Sequence, residues 1–313
     1  MGGRIALLVA CLSGGVSAQS RSFTVADAAS LQAALDSAGP EGAVIRLRPG
    51  IYRQVFTIAK PHIQLRGLGT RAQDVVLTYD NSAASAGGTT RSASVTVSGD
   101  DFYAENLTFE NSFSRNRPLT REGSQAVAIK ITGDRAVFRK VRFLGYQDTL
   151  YPTNNTRQYF SECYIEGNVD FIFGNARAFF DRCEIHALAH SVVYLTAQSR
   201  LTAEENNGYV FDRCRVTADP GATRIYLGRP WRAHATVVFL DTELPASIVP
   251  EGWQEWEHDG KPSLPTSFFA EYRSTGPGAQ PNLRRQLTEV EAAQFALPAF
   301  LGGDDHWDPS KIR

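Results

Sequence analysis

Asp148 and Asp170 recur at one offset from a repeated word, and they are the residues of this 313-residue chain best placed to do chemistry. Asp148 lies five residues after the end of Lys140-Val141-Arg142-Phe143, and Asp170 five residues after the end of Glu162-Cys163-Tyr164-Ile165. If those words stack in register as strands of adjacent coils, the two aspartate backbones sit ~4.8 Å apart. Two like charges that close disfavour joint ionisation, and one pKa rises unless a cation intervenes. A site obtains one carboxylic acid and one carboxylate at the same pH in this way. The structural alternative is a pair of satisfied turn residues, and spacing alone leaves both readings open. Asp170 is nevertheless embedded in Val169-Asp170-Phe171-Ile172-Phe173, an apolar run in which a charge requires a partner or a job.

Other chemistries are poorly represented. There is no G-x-S-x-G elbow, no G-x-x-x-x-G-K and no G-x-G-x-x-G. Of six histidines only His186 and His190 have helical spacing, and their context is strand. A zinc site is not expected either, because Cys163, Cys183 and Cys214 form no C-x-x-C pair.

The elements that must position the aspartates follow from the words themselves. Asn106-Leu107-Thr108-Phe109, the two words above, Arg182-Cys183-Glu184-Ile185, Arg213-Cys214-Arg215-Val216 and Asp241-Thr242-Glu243-Leu244 recur at intervals of 34, 22, 20, 31 and 28 residues. Short strands and turns at such a period, with no helical pattern between them, predict an all-β solenoid, a parallel β-helix in which the longer intervals bulge as loops. An antiparallel sandwich is the alternative. In a parallel stack Cys163 and Cys183 are close enough for a disulfide, with Cys214 one coil further along the same row as a buried free thiol. Three reduced core cysteines are the plainer reading.

Residues 26–38 have helical apolar spacing and are expected to cover the open end of the first coil. Thr288 and Glu291 form a capping box that opens a helix through Phe295, and residues 81–90 read as a loop. Composition agrees with one large β domain: 42% hydrophobic, 26 Gly, 18 Phe, 11 Tyr and a single Met. The net charge of −1 and pI near 6.6 remove the electrostatic drive of a general nucleic-acid or anionic-membrane binder.

The first residues, with Arg4, an apolar stretch over residues 5–12 and small residues before Gln19, have the layout of a secretory signal cleaved after Ala18. That leaves a domain over residues 19–313, secreted to an extracellular or periplasmic space. Leu8-Val9-Ala10-Cys11 also has the form of a lipoprotein box, with a short preceding segment that argues against it.

Four blocks, in order, closely resemble the signatures of the pectin methylesterase family: Gln125-Ala126-Val127-Ala128, Gly145-Tyr146-Gln147-Asp148-Thr149-Leu150, Gly167-Asn168-Val169-Asp170-Phe171-Ile172-Phe173-Gly174 and Leu227-Gly228-Arg229-Pro230-Trp231. The similarity runs over residues 23–307 and includes Gly50-Ile51-Tyr52 and Gly276-Pro277-Gly278-Ala279. It implies a single-stranded right-handed parallel β-helix with short capping helices at its ends. The implied activity is hydrolysis of methyl esters on galacturonan, the methylated homogalacturonan of pectin, by a monomer without metal or organic cofactor. The resemblance makes Asp170 the nucleophile, Asp148 the general acid and then base, Gln147 the oxyanion donor and Arg229 the partner that keeps Asp170 ionised. Gln125, Trp231, Thr90 and Phe171 correspond to substrate contacts, Gln125 also as a second amide donor. The chain departs from the family at Arg53-Gln54, where a Glu is usual. Its 112–124 loop carries Arg115, Arg117 and Arg121, read as attracting an acidic polymer. Three alternatives remain at this point: a related esterase or thioesterase acting on other acyl esters, a pectin-binding solenoid without turnover, and a calcium-dependent pectate lyase. The intact Gln147-Asp148 and 167–174 contexts argue against the last.

Overall fold

The six residues that open the repeated words, Asn106, Lys140, Glu162, Arg182, Arg213 and Asp241, all take a left-handed backbone with φ between 44° and 54°. Such a conformation costs an ordinary L-residue about 1–2 kcal/mol, so six in register mark an imposed corner. Each corner carries the chain from one sheet to the next. This computed structural model describes residues 21–113 and 123–312. The proposed signal segment, Cys11 and the arginines at 115, 117 and 121 lie outside the described residues.

Three parallel sheets of ten, seven and six strands form the walls of a right-handed parallel β-helix. One coil shows the pattern. Ala136–Arg139 lies in the ten-stranded sheet, Arg142–Leu144 in the seven-stranded sheet and Leu150–Pro152 in the six-stranded sheet. Arg157–Ser161 then returns to the first sheet, one coil on. The words pair as their spacing predicts: Phe109 with Phe143, Phe143 with Ile165, and Ile165 with Ile185.

Parallel stacking puts like on like. Phe138, Phe160, Phe180, Phe211 and Phe239 occupy one register position on five successive coils. Their rings stack at 4.9, 4.7, 4.5 and 4.6 Å with planes within 10° of parallel. The residue after each corner forms a second buried row: Leu107, Val141, Cys163, Cys183, Cys214 and Thr242. The three cysteines are therefore aligned as the spacing predicts, but all are free. The reason is local. Each thiol is directed at a phenylalanine carbonyl of the preceding coil, Cys163 to Phe138, Cys183 to Phe160 and Cys214 to Phe180, at 3.3–3.5 Å, and the Thr242 hydroxyl donates to Phe211 in the same way.

The chain ends behave differently from each other. Helix α1 (Ala28–Ser37), with Asp27 and Ser30 as a reciprocal cap, buries Leu31, Ala34 and Leu35 in the interior core and closes the first coil, as expected. The Thr288–Glu291 capping box is also present. Its helix Glu289–Ala293 is shorter than the expectation, and with Leu297–Leu301 it does not cap the last coil. These two segments bury Ala292, Phe300 and Leu301 with Trp307 against Tyr159, Phe179 and Val210, on the outer face of the ten-stranded sheet. The expected loop at residues 81–90 contains a helical turn, Ala83–Ala86, capped by Ser82, and a 3-10 turn at Thr89–Arg91.

Phe160→Ala, which removes the second ring of the stack, should destabilise the fold by about 3–5 kcal/mol in denaturant titration; a loss under about 1 kcal/mol would mean the stack is incidental. Unfolding without reductant should leave Cys163, Cys183 and Cys214 all open to alkylation, and a disulfide-linked peptide would contradict the free row.

Candidate active site

Both aspartates stand at corners. Asp148 and Asp170 have φ of 64° and 50°, and each lies two residues before the paired Leu150 and Ile172. The Asp148 amide donates to the Val169 carbonyl at 3.1 Å, so the two occupy equivalent places on adjacent coils. Strained backbone at both positions is the kind of feature that concentrates where function holds it. The glycine three residues before each aspartate makes the corner possible. A Cβ on Gly145 would lie 2.6 Å from the Thr149 hydroxyl oxygen, and one on Gly167 would lie 2.2 Å from the Phe171 Cβ.

That packing corrects one expectation. Phe171 is fully buried in the interior core, folded over Gly167, and cannot touch a ligand in the cleft. The left-handed turn at Asp170 sends the following side chain inward.

The remaining expected residues converge. Thr90, Gln125, Gln147, Asp148, Asp170, Arg229 and Trp231 all line one cleft of about 360 Å³. Arg229 is two coils on from Asp170: Ile172 pairs with Thr196, and the Arg229 amide donates to the Thr196 carbonyl at 3.0 Å. Gly228 permits that approach, since a Cβ there would meet the Thr196 Oγ1 at 2.0 Å. From this place the guanidinium forks onto Asp170, Nε to Oδ1 at 2.8 Å and the second nitrogen to Oδ2 at 2.6 Å. Bidentate pairing of this kind is strong and fixes orientation.

The two carboxyls are thereby made unequal. Asp170 is 5% exposed, and burial pushes its pKa up while the hydrogen bonds and charge of Arg229 pull it back. Asp148 is 8% exposed and is pushed well above the ordinary carboxyl range by burial and by the charge of Asp170, with a smaller offset from the charge of Arg229. The proton belongs on Asp148 and the charge on Asp170.

Several contributors were not singled out from the sequence. The Arg229 guanidinium lies 4.1 Å from both the Tyr194 and Trp256 ring centroids, an arrangement that holds the fork by cation–π contact. Tyr151 and Phe173 stack at 4.2 Å and floor the cleft, and Phe173 approaches Trp231 at 5.9 Å. A signal for these two was present, because each lies three residues after its aspartate. Tyr194 and Trp256 arrive from distant coils and carried no such mark.

A family model described as Pectinesterase matches residues 16–304. Pectinesterase 31 of Arabidopsis thaliana is 41% identical over 294 residues, covering 88% of this chain and 89% of that protein. Pectin methylesterase PemA from Erwinia chrysanthemi has a similar structure, with a TM-score of 0.81 at 30% identity, over 93% of this chain and 98% of that one. The crystal structure of a pectin methylesterase in complex with hexasaccharide VII is similar at TM-score 0.82 and 30% identity, with the same coverage. A fold and a family match that each extend over most of the described residues, with the signature blocks in order within them, lead to one conclusion: the chain belongs to the pectinesterase family.

Proposed function

We propose that the cleft hydrolyses the methyl esters of pectin by an aspartyl esterase mechanism, yielding pectate and methanol. The observation that carries this reading is the inequality of two buried carboxyls in register, one forked by Arg229 and the other pushed toward its acid form by burial and by the neighbouring charge. The Asp170 carboxylate attacks the ester carbonyl carbon, and the carbonyl electrons move onto oxygen, where Gln147 and Gln125 offer amide donors. Collapse of that oxyanion breaks the bond to methoxide, which takes the proton of Asp148 and leaves as methanol. Asp170 is left as an acyl anhydride. Asp148, now a carboxylate, removes a proton from water as the water oxygen attacks the anhydride. The anhydride bond breaks, Asp170 recovers its charge, Asp148 keeps the proton taken from water, and the product leaves as galacturonic acid, which loses its remaining proton to solvent and becomes galacturonate.

Arg229 stabilises the ionised nucleophile before attack and loses that interaction when Asp170 is acylated, which favours the second half-reaction. Tyr151, Phe173 and Trp231 supply an apolar surface suited to a sugar face and a methyl group. The reading includes export with cleavage after Ala18, supported by the layout of the first residues. Among the described residues no helix is long and apolar enough to cross a membrane.

Asp170→Asn should fold normally and lose nearly all methanol release from highly methylated pectin, and retained turnover would refute the assignment. Asp148→Asn separates stability from activity. A carboxyl whose folded pKa is raised is protonated in both states below about pH 4 and imposes no penalty there. As pH rises, the unfolded chain ionises first and the folded state loses stability, by up to about 1.4 kcal/mol per pH unit until the folded pKa is reached. Asp148→Asn should therefore melt with the wild type near pH 4 and several degrees above it at pH 7, while losing activity at both. Equal melting at pH 7 would show that Asp148 is not buried as an acid.

A further inference from the structure

Gln147 can stabilise an oxyanion only if it presents nitrogen, and a glutamine amide carries an acceptor and two donors on one rotatable plane. Turned over, the same group would set a carbonyl oxygen against the developing negative charge. The Ser124 hydroxyl donates to Gln147 Oε1 at 2.9 Å. That bond claims the acceptor side, and among the described residues no acceptor claims Nε2, while the side chain as a whole lines the cleft.

Ser124 is itself held. The Ala84 amide donates to the Gly123 carbonyl at 3.1 Å and the Ala83 amide to the Gln125 carbonyl at 2.8 Å, so the residues on either side of Ser124 are clamped to the short helix Ala83–Ala86. Gly123 makes the approach possible: its φ is +83°, and a Cβ there would lie 2.8 Å from the Ala84 side chain. On the far side the Ala126 amide donates to the Gln147 carbonyl at 3.1 Å, tying the serine segment to the coil that carries the glutamine. We propose that Ser124 is a positioning residue that fixes the Gln147 amide with its nitrogen toward the reacting carbonyl oxygen. This inference rests on the esterase reading and adds to it a residue outside those that line the cleft.

The test is a cycle on methylated pectin. Ser124→Ala should lower kcat about fivefold, the rate equivalent of one neutral hydrogen bond, with KM unchanged. Ser124→Thr, which keeps the hydroxyl, should restore most of that loss. In a Gln147→Ala background the change at Ser124 should have no further effect, because its only route to the reaction has been removed. Full kcat in Ser124→Ala, or the same loss repeated in the Gln147→Ala background, would overturn the role. A wild type that releases no methanol would sink the esterase reading instead. Ser124 is then judged by the side-chain amide resonances of Gln147, identified by their absence in Gln147→Ala. Exchange between its two amide protons should be faster in Ser124→Ala than in the wild type, and unchanged exchange would refute the contact.

Discussion

The rise of ~4.8 Å from one coil to the next, set by the parallel hydrogen-bond ladder, is the constraint on which both core and site depend. It does not let a side chain choose its neighbour: whatever stands at one register position meets the same position on the coils above and below. Where those positions hold phenylalanine, five rings stack within 10° of parallel. Where two of them hold aspartate, two carboxyls are forced together, burial raises both, and the Arg229 fork makes them unequal. One rule thus builds the apolar interior and creates the electrostatic problem that the site exploits.

Arginine resolves that problem from a distance. Arg229 is 59 residues beyond Asp170 in sequence and two coils beyond it in space, yet its fork determines which aspartate carries the charge. Tyr194 and Trp256 hold the guanidinium plane, and Trp256 also faces the cleft. Packing and electrostatics meet at this residue, since a guanidinium free to swing would leave two buried acids sharing one proton.

Much of this was legible in the sequence because a parallel stack turns one-dimensional spacing into contact. The corner words, the equivalence of Asp148 and Asp170 and the row of cysteines all follow from offsets. Three things did not follow. Phe171 sits inside a signature block, but the left-handed turn at Asp170 reverses the direction in which its neighbour points, and alternation gives no warning of a corner. The thiols of the cysteine row are directed at carbonyls of the preceding coil, a local competitor to bridging that spacing does not show. The C-terminal segments lie across the outside of the largest sheet because Tyr159, Phe179 and Val210 leave an apolar strip there, and that strip comes from three coils whose outward faces are visible only once the register is known.

The repeat lengths have a consequence for how such a molecule can change. The paired aspartates follow words separated by 22 residues, and the next interval is 20, the two shortest of the five intervals between words. Those coils have no slack. The 34-residue interval carries the excursion that brings Gln125 to the cleft and the 28-residue interval the one that brings Arg229 and Trp231, while Trp256 follows the last word. Insertions and deletions can therefore reshape the rim while the separation of the carboxyls stays locked, a division that makes the scaffold suited to loop grafting and lets specificity drift without disturbing the paired carboxyls.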